Sequence, residues 1–115
     1  MPNIVEEKSK DFAVRIVKLY KYLCSERQEY VMSKQVLRSG TSIGANIAEA
    51  QEGQSKKDFI SKMSIALSEA SETAYWLELL ARTEYITPSQ YENIKEDCRE
   101  LIKLLTAIVK RSRGE

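Results

Sequence analysis

The sequence predicts an all-α domain folded as an antiparallel, up-down-up-down four-helix bundle. Three observations carry that expectation. Only 4 Gly and 2 Pro punctuate 115 residues that are 43% hydrophobic and 30% charged, a composition suited to long helices joined by short turns. Apolar side chains recur at three- and four-residue intervals through four separate stretches. Each stretch is bounded by capping or breaking residues a few positions from the next, and links that short cannot cross the length of a bundle. The length suits one core, so residues 1–115 are read as one domain.

The first stretch opens at Asn3-Ile4-Val5-Glu6, a cap residue with an acidic partner three positions on, and continues through Phe12, Ile16, Val17, Tyr20, Leu23 and Cys24. Helix 1 is expected over about residues 3 to 26, and the polar run from Ser25 to Glu29 ends it. Val36, Leu37, Gly40, Ile43, Gly44, Ile47, Ala48 and Gln51 then mark helix 2, over about residues 31 to 51. Gly40, Gly44 and Ala48 put small residues one turn apart on its apolar side. Each glycine costs a helix about 1 kcal/mol against alanine, so close packing against a neighbour is expected, or a kink around Arg38 to Ser42.

Gly53 stops helix 2, and Ser55-Lys56-Lys57-Asp58 reads as a second capping box. It opens helix 3, over about residues 56 to 83, with Phe59, Met63, Ala66, Leu67, Ala70, Ala74, Leu77 and Ala81 as its core stripe. Thr87-Pro88-Ser89-Gln90 supplies a cap, a proline at the first helical position and a glutamine at the third. Helix 4 follows, over about residues 88 to 111, with Tyr91, Ile94, Cys98, Leu101, Leu105, Ile108 and Val109 turned inward.

Catalytic and metal chemistry find little support. The chain has no histidine, which removes the commonest general base, the Glu-x-x-His ligands of di-iron bundles and the usual zinc sets. The helix-spaced pairs Glu49 with Glu52 and Glu69 with Glu72 read as solvated surface acids rather than as cation ligands. No nucleophile elbow or phosphate loop accompanies the serines. The expectation is a protein that is not an enzyme, holds no metal or cofactor, and acts through its surfaces.

Two surfaces stand out. At 100° per residue, Ile65, Tyr75, Trp76 and Leu79 fall on the side of helix 3 away from its core stripe. Aromatic and aliphatic side chains there are the composition of a buried protein contact, so self-association is expected, with cover by a wide core or by the link between helices 1 and 2 as the alternative. On helix 2, Arg38, Ser42, Ala45, Asn46 and Glu49 form a small, polar stripe that can line the same contact.

The second surface is electrostatic. The net charge is only +1, but residues 99 to 113 carry 5 basic side chains against 1 acidic one. In an up-down bundle Lys8, Lys10, Lys56, Lys57, Lys110, Arg111 and Arg113 gather at one end, diluted by Glu6, Glu7, Glu52 and Asp58. The other end holds Glu26, Glu29, Glu78 and Glu84. Lys56, Lys57, Lys110, Arg111 and Arg113 are therefore the candidate contacts to RNA or DNA. Cations at helix C-termini also answer the helix dipole, so a merely solvated pole stays open.

The string Leu37-Arg38-Ser39-Gly40-Thr41-Ser42-Ile43-Gly44-Ala45-Asn46-Ile47-Ala48-Glu49-Ala50, with Phe59-Ile60 and Ala66 to Thr73 downstream, resembles the bacterial four-helix bundle family named after large-subunit rRNA intervening sequences. Ser42 to Glu49 is its most specific part, and the likeness runs over nearly the whole chain. The resemblance implies a homopentamer. It also implies kinship with the accessory variability determinant of diversity-generating retroelements, a basic pentamer that works with a reverse transcriptase and nucleic acid. This chain departs from that relative in being nearly neutral, and it has Ala50 where the family usually has glycine. Two roles follow as expectations: an accessory factor contacting nucleic acid or a nucleic-acid enzyme through the basic pole, or an oligomeric protein-interaction scaffold without nucleic-acid affinity.

No apolar run approaches the roughly 18 residues of a membrane span, and Met1 to Lys10 lacks the apolar centre of a signal peptide, so a cytoplasmic location is expected. Cys24 and Cys98 face inward on helices 1 and 4 at heights differing by roughly 12 Å along the bundle, and two free thiols are expected.

Overall fold

The computed structural model describes residues 3–115; Met1 and Pro2, the start of the charged N-terminal stretch, lie outside them. Four helices make up the fold: α1 (Ile4–Arg27), α2 (Met32–Gln51), α3 (Lys56–Arg82) and α4 (Pro88–Ser112), with no strand among the described residues. Among the described residues no helix is long and apolar enough to cross a membrane.

Three of the four starts are built from the residues that announce them. The Asn3 side chain accepts the Glu6 amide at 3.1 Å, and Ser55 accepts the Asp58 amide at 3.1 Å. At α4 the box is reciprocal: Thr87 Oγ1 accepts the Gln90 amide at 3.1 Å, while Gln90 Oε1 accepts the Thr87 amide at 2.8 Å. The expected box at Ser55 is only half made, since Asp58 is too short to return the bond that a glutamate or glutamine returns.

The start of α2 is capped by a residue the sequence pattern did not single out. Val31 stands at the cap position with no side chain to offer. Glu29 reaches forward instead, and its carboxylate accepts the amides of Ser33 at 2.7 Å, Met32 at 3.1 Å and Val31 at 3.3 Å. Three otherwise unpaired N–H groups and the positive end of the helix dipole converge on one carboxylate. Glu29 is accordingly buried, so the acidic character expected of it at that end of the bundle is spent inside the link. Gln28 adopts a left-handed conformation (φ 49°) and the Glu29 amide returns to the Leu23 carbonyl at 2.9 Å, closing α1.

Cross-helix pairs give the topology. Ile16 and Ser9 of α1 meet Gly40 and Gly44 of α2 in reversed order; Arg38 and Glu49 of α2 meet Glu72 and Lys62 of α3 in reversed order. Cys98 and Arg113 of α4 reach Ala70 and Ser64 of α3, again antiparallel, and Lys8 and Arg15 of α1 meet Glu100 and Asp97. Neighbours in sequence are neighbours in space, α4 closes on α1, and α1 and α3 occupy opposite corners.

The core holds Phe12, Ile16, Leu23, Val36, Ile43, Ile47, Met63, Leu77, Leu80, Leu101 and Leu105, all essentially inaccessible. The glycines of α2 act by close packing: a Cβ on Gly40 would lie 2.8 Å from both γ carbons of Ile16, and one on Gly44 would lie 3.2 Å from Ser9 Oγ. The helix runs without interruption through Arg38 to Ser42. Ala48 and Gln51, expected with the apolar residues of α2, are exposed, and Ala50 is buried. A four-residue step rotates the face by about 40°, so the stripe that meets α1 at Gly40 and Gly44 has turned to solvent by Ala48.

Candidate interaction surfaces

The α2–α3 edge gathers most of the expected interface residues. Arg38 forks across the helix pair, with Nη1 donating to Glu69 at 3.1 Å and Nη2 paired with Glu72. Glu72 also accepts the Trp76 indole N–H at 3.0 Å. That bond, then the Arg38 guanidinium, holds the Glu72 carboxyl below the usual carboxylate range. Glu69 and Glu72 are therefore not a solvated acid pair but the two arms of one clamp on Arg38. About three turns along, Glu49 pairs with Lys62 at 3.2 Å. Between them Ser42 Oγ donates to the Arg38 carbonyl at 2.7 Å and Asn46 Nδ2 to the Ser42 carbonyl at 2.8 Å, which leaves the Asn46 carbonyl oxygen free to accept.

Beneath the clamp, Thr73 Oγ1 and Ser39 Oγ lie 2.8 Å apart, both fully buried. The bonded pair pins α2 to α3 at one register, because sliding either helix would strand a buried hydroxyl. Counting apolar residues alone could not find it; two hydroxyl residues at core-facing positions of adjacent helices were the available signal.

Ile65 (43% exposed) and Tyr75 (60% exposed) lie bare on the outer side of α3. Leu79 and Trp76 are both half-buried, and Trp76 packs against the core. Tyr75 meets the Trp76 ring edge-on at 5.2 Å but leans the other way, into the groove between α3 and α4 with Tyr91, Lys95 and Arg99. The apolar surface thus wraps the ridge of α3 rather than lying in one plane.

The α1–α4 side is built differently. Polar bridges hold the seam: Lys8 to Glu100, and Arg15 to Asp97 and, at 2.6 Å, to Asn93. Between the bridges and the α3–α4 link lies an open groove of 510 Å³, lined by Arg15, Lys18, Leu19, Tyr22, Ile86 and Ile94 among others.

The basic end is assembled as the topology requires. Lys56 and Lys57 open α3 beside the end of α4, where Arg113 Nη2 reaches Ser64 Oγ at 3.4 Å. Lys56, Lys57, Lys110, Arg111 and Arg113 are all exposed, and none makes an ion pair among the described residues. Lys8, counted with them in the sequence, is engaged by Glu100. Among the described residues no group of three or more carboxylate or thiol side chains is placed to hold a metal ion.

Both cysteines are free thiols. Cys98 donates to the Ala70 carbonyl at 3.4 Å, and burial pushes its pKa up to about 12. Cys24 is half-buried beside Ser33 Oγ, at 3.8 Å, on the α2 side of α1.

The described residues thus form an antiparallel four-helix bundle with an apolar ridge on α3, an open groove between α1 and α4, and a basic end. The chain belongs to the 23S rRNA-intervening sequence protein family, whose sequence model matches residues 2–107. It is similar to the crystal structure of a protein from Bacteroides thetaiotaomicron, described as of unknown function and from the S23 ribosomal protein family. The two share 65% identity over 92% of this chain and 98% of that one, with a TM-score of 0.91. No curated protein matches the chain.

Proposed function

We propose that the chain is a non-enzymatic subunit that assembles with copies of itself, most simply as a ring, through the α2–α3 edge. The assembled particle then acts as an accessory factor contacting RNA, DNA or a nucleic-acid enzyme with its basic end. The observation that carries the assembly is the ridge of Ile65, Tyr75, Trp76 and Leu79, bordered by Arg38, Ser42, Asn46 and Glu49, on the outside of a bundle whose core is already filled. An apolar, aromatic patch with a hydrogen-bonding rim is what a protein contact buries. The resemblance to the family's homopentamers makes five the expected copy number.

The nucleic-acid role is supported by five exposed, unpaired cations at one end, which a ring would repeat once per subunit. A scaffold without nucleic-acid affinity is the competing reading, favoured by the +1 net charge and by exposed Glu52 and Asp58 beside Lys56 and Lys57. Salt separates the two: phosphate contacts weaken steeply as salt rises, whereas contacts through apolar surface do not. Fluorescence anisotropy with single- and double-stranded oligonucleotides is the test. Reversing Lys56, Lys57, Lys110, Arg111 and Arg113 to glutamate should abolish binding; retained binding would refute the basic end, and no binding by the wild type would leave the scaffold.

A further inference from the structure

We infer that the contact is heterologous: the α3 ridge of one copy seats in the α1–α4 groove of the next. This rests on the proposed self-association and names the surface that receives the ridge.

Register carries the argument first. Ile16 packs on Gly40, the neighbouring Ser39 bonds Thr73, and Arg15 bonds Asn93, so these residues of all four helices lie at one height. Helices in such bundles run nearly parallel to a common axis, so heights transfer between corners with little error. Glu72, Trp76 and Leu79 of α3 are therefore level with Arg15, Lys18 and Tyr22 of α1, the span of the groove. In a cyclic assembly with bundle axes along the ring axis, side faces meet at equal heights. Ridge and groove satisfy that condition without any slide.

Charge and shape agree with the register. The groove lining carries Arg15 and Lys18 and no carboxylate; Arg15 is matched by Asp97, and Lys18 has no ion-pair partner among the described residues. The ridge carries Glu69 and Glu72 against the single Arg38, a surplus of one negative charge. The groove floor offers Leu19, Tyr22, Ile86 and Ile94 to Trp76 and Leu79. A long side of the bundle, from extents of 44 × 24 × 22 Å, has room for the roughly 800 Å² per partner that a standard interface buries. Exposed ion pairs add little affinity, so apolar burial supplies the strength and the charges select the groove over a second ridge. Because the two faces lie on different sides of the bundle, each copy keeps one free to continue the ring.

The test is complementation between two broken copies. Tyr75→Arg with Leu79→Arg spoils the ridge; Lys18→Glu with Ser89→Trp spoils the groove, at exposed positions of α1 and α4. Each variant alone should run at the mass of one 13.2 kDa chain by light scattering, with unchanged helicity. Mixed in equal amounts they should give a species of about twice that mass, because one intact ridge and one intact groove remain between them. A mixture that stays monomeric overturns the inference, as does a groove variant that keeps the wild-type mass; self-association through the ridge survives either result. A monomeric wild type removes both. A zero-length carbodiimide crosslink on the wild-type assembly gives a reading free of folding defects. Lys18 should couple to Glu69 or Glu72 between subunits, since α1 and α3 sit at opposite corners of one chain; a ridge-to-ridge link in its place refutes the groove.

Discussion

Replacing Gly40 by alanine should destabilise the chain and replacing Gly44 should not, although both lie on the same side of the same helix. Intrinsic propensity favours alanine by about 1 kcal/mol at either position. At Gly40 the new methyl would sit 2.8 Å from both Ile16 γ carbons and 3.1 Å from its δ carbon, and Ile16 is fully enclosed. All three contacts are below or near the closest approach of real side-chain carbons, and Ile16 has no free space to turn into, so the α1–α2 packing must give. Overpacking of this kind costs about 1–3 kcal/mol, which exceeds the propensity gain and leaves Gly40→Ala destabilised by roughly 1 kcal/mol. At Gly44 the approach to Ser9 Oγ is 3.2 Å and the next neighbours are at 3.6 Å, a fit that needs a shift of a few tenths of an ångström. Gly44→Ala should be neutral or more stable by up to about 1 kcal/mol. Urea titration followed by circular dichroism at fixed protein concentration measures both, and 1 kcal/mol corresponds to roughly 4–6 °C in Tm for a domain of this size. Pairing Gly40→Ala with Ile16→Val should recover part of the loss. Gly40→Ala matching the wild type, or both alanines costing the same, would show that the glycines do not set the α1–α2 distance.

Glu29→Ala should cost about 1–3 kcal/mol in the same titration, because three amides at the start of α2 lose their acceptor, that of Ser33 at a buried position, and Glu29→Gln should cost less. Mass spectrometry of folded, air-exposed protein should find two free thiols per chain. A thiol reagent should reach Cys24 well before Cys98, which is buried and protonated to about pH 12; an intrachain disulfide would refute the helix register. The Glu72 carboxyl titrates lower in the folded chain than its ordinary value of 4.5, so the folded state binds fewer protons there than the unfolded state. Its contribution is complete above that value and is lost as pH falls through the depressed one. Glu72→Gln should therefore flatten the acid limb of the stability profile and leave the neutral region less affected; an unchanged acid limb would refute the clamp's role.

Much of this architecture is legible in the sequence because it is written locally. Helix ends at Asn3, Ser55 and Thr87 are set by side chains that bond amides three residues away, so a reader of neighbouring letters finds them. What escapes such reading depends on the other helices. Glu29 caps α2 from two positions before the expected place, and only the left-handed turn at Gln28 aims it there. Arg38 reads as one charge on an outer stripe until the Ser39–Thr73 pair fixes the α2–α3 register and brings two carboxylates beneath it. Tyr75 and Trp76 are adjacent letters about 100° apart, enough to send one ring towards α4 and the other onto the core. The α1–α4 groove has no letter of its own, being the space left where polar bridges, not apolar side chains, close the bundle.

The string from Arg38 to Glu49 divides by direction, and that division separates two kinds of failure. Gly40, Ile43, Gly44 and Ile47 point to α1 and the core, where changes are felt as lost packing within one chain. Arg38, Ser42, Asn46 and Glu49 lie along the α3 edge, where their bonds within the chain are exposed or half-exposed and contribute little to its stability. If that edge borders the subunit contact, changes there should alter assembly more than unfolding: Glu49→Lys, which sets two like charges against each other at Lys62, should cost a few tenths of a kcal/mol in the chain and lower the oligomer mass at a given concentration. A Glu49→Lys chain that assembles like the wild type would place the contact nearer the Trp76 end of the ridge. Loss of helicity with assembly intact is the one outcome this division by direction forbids.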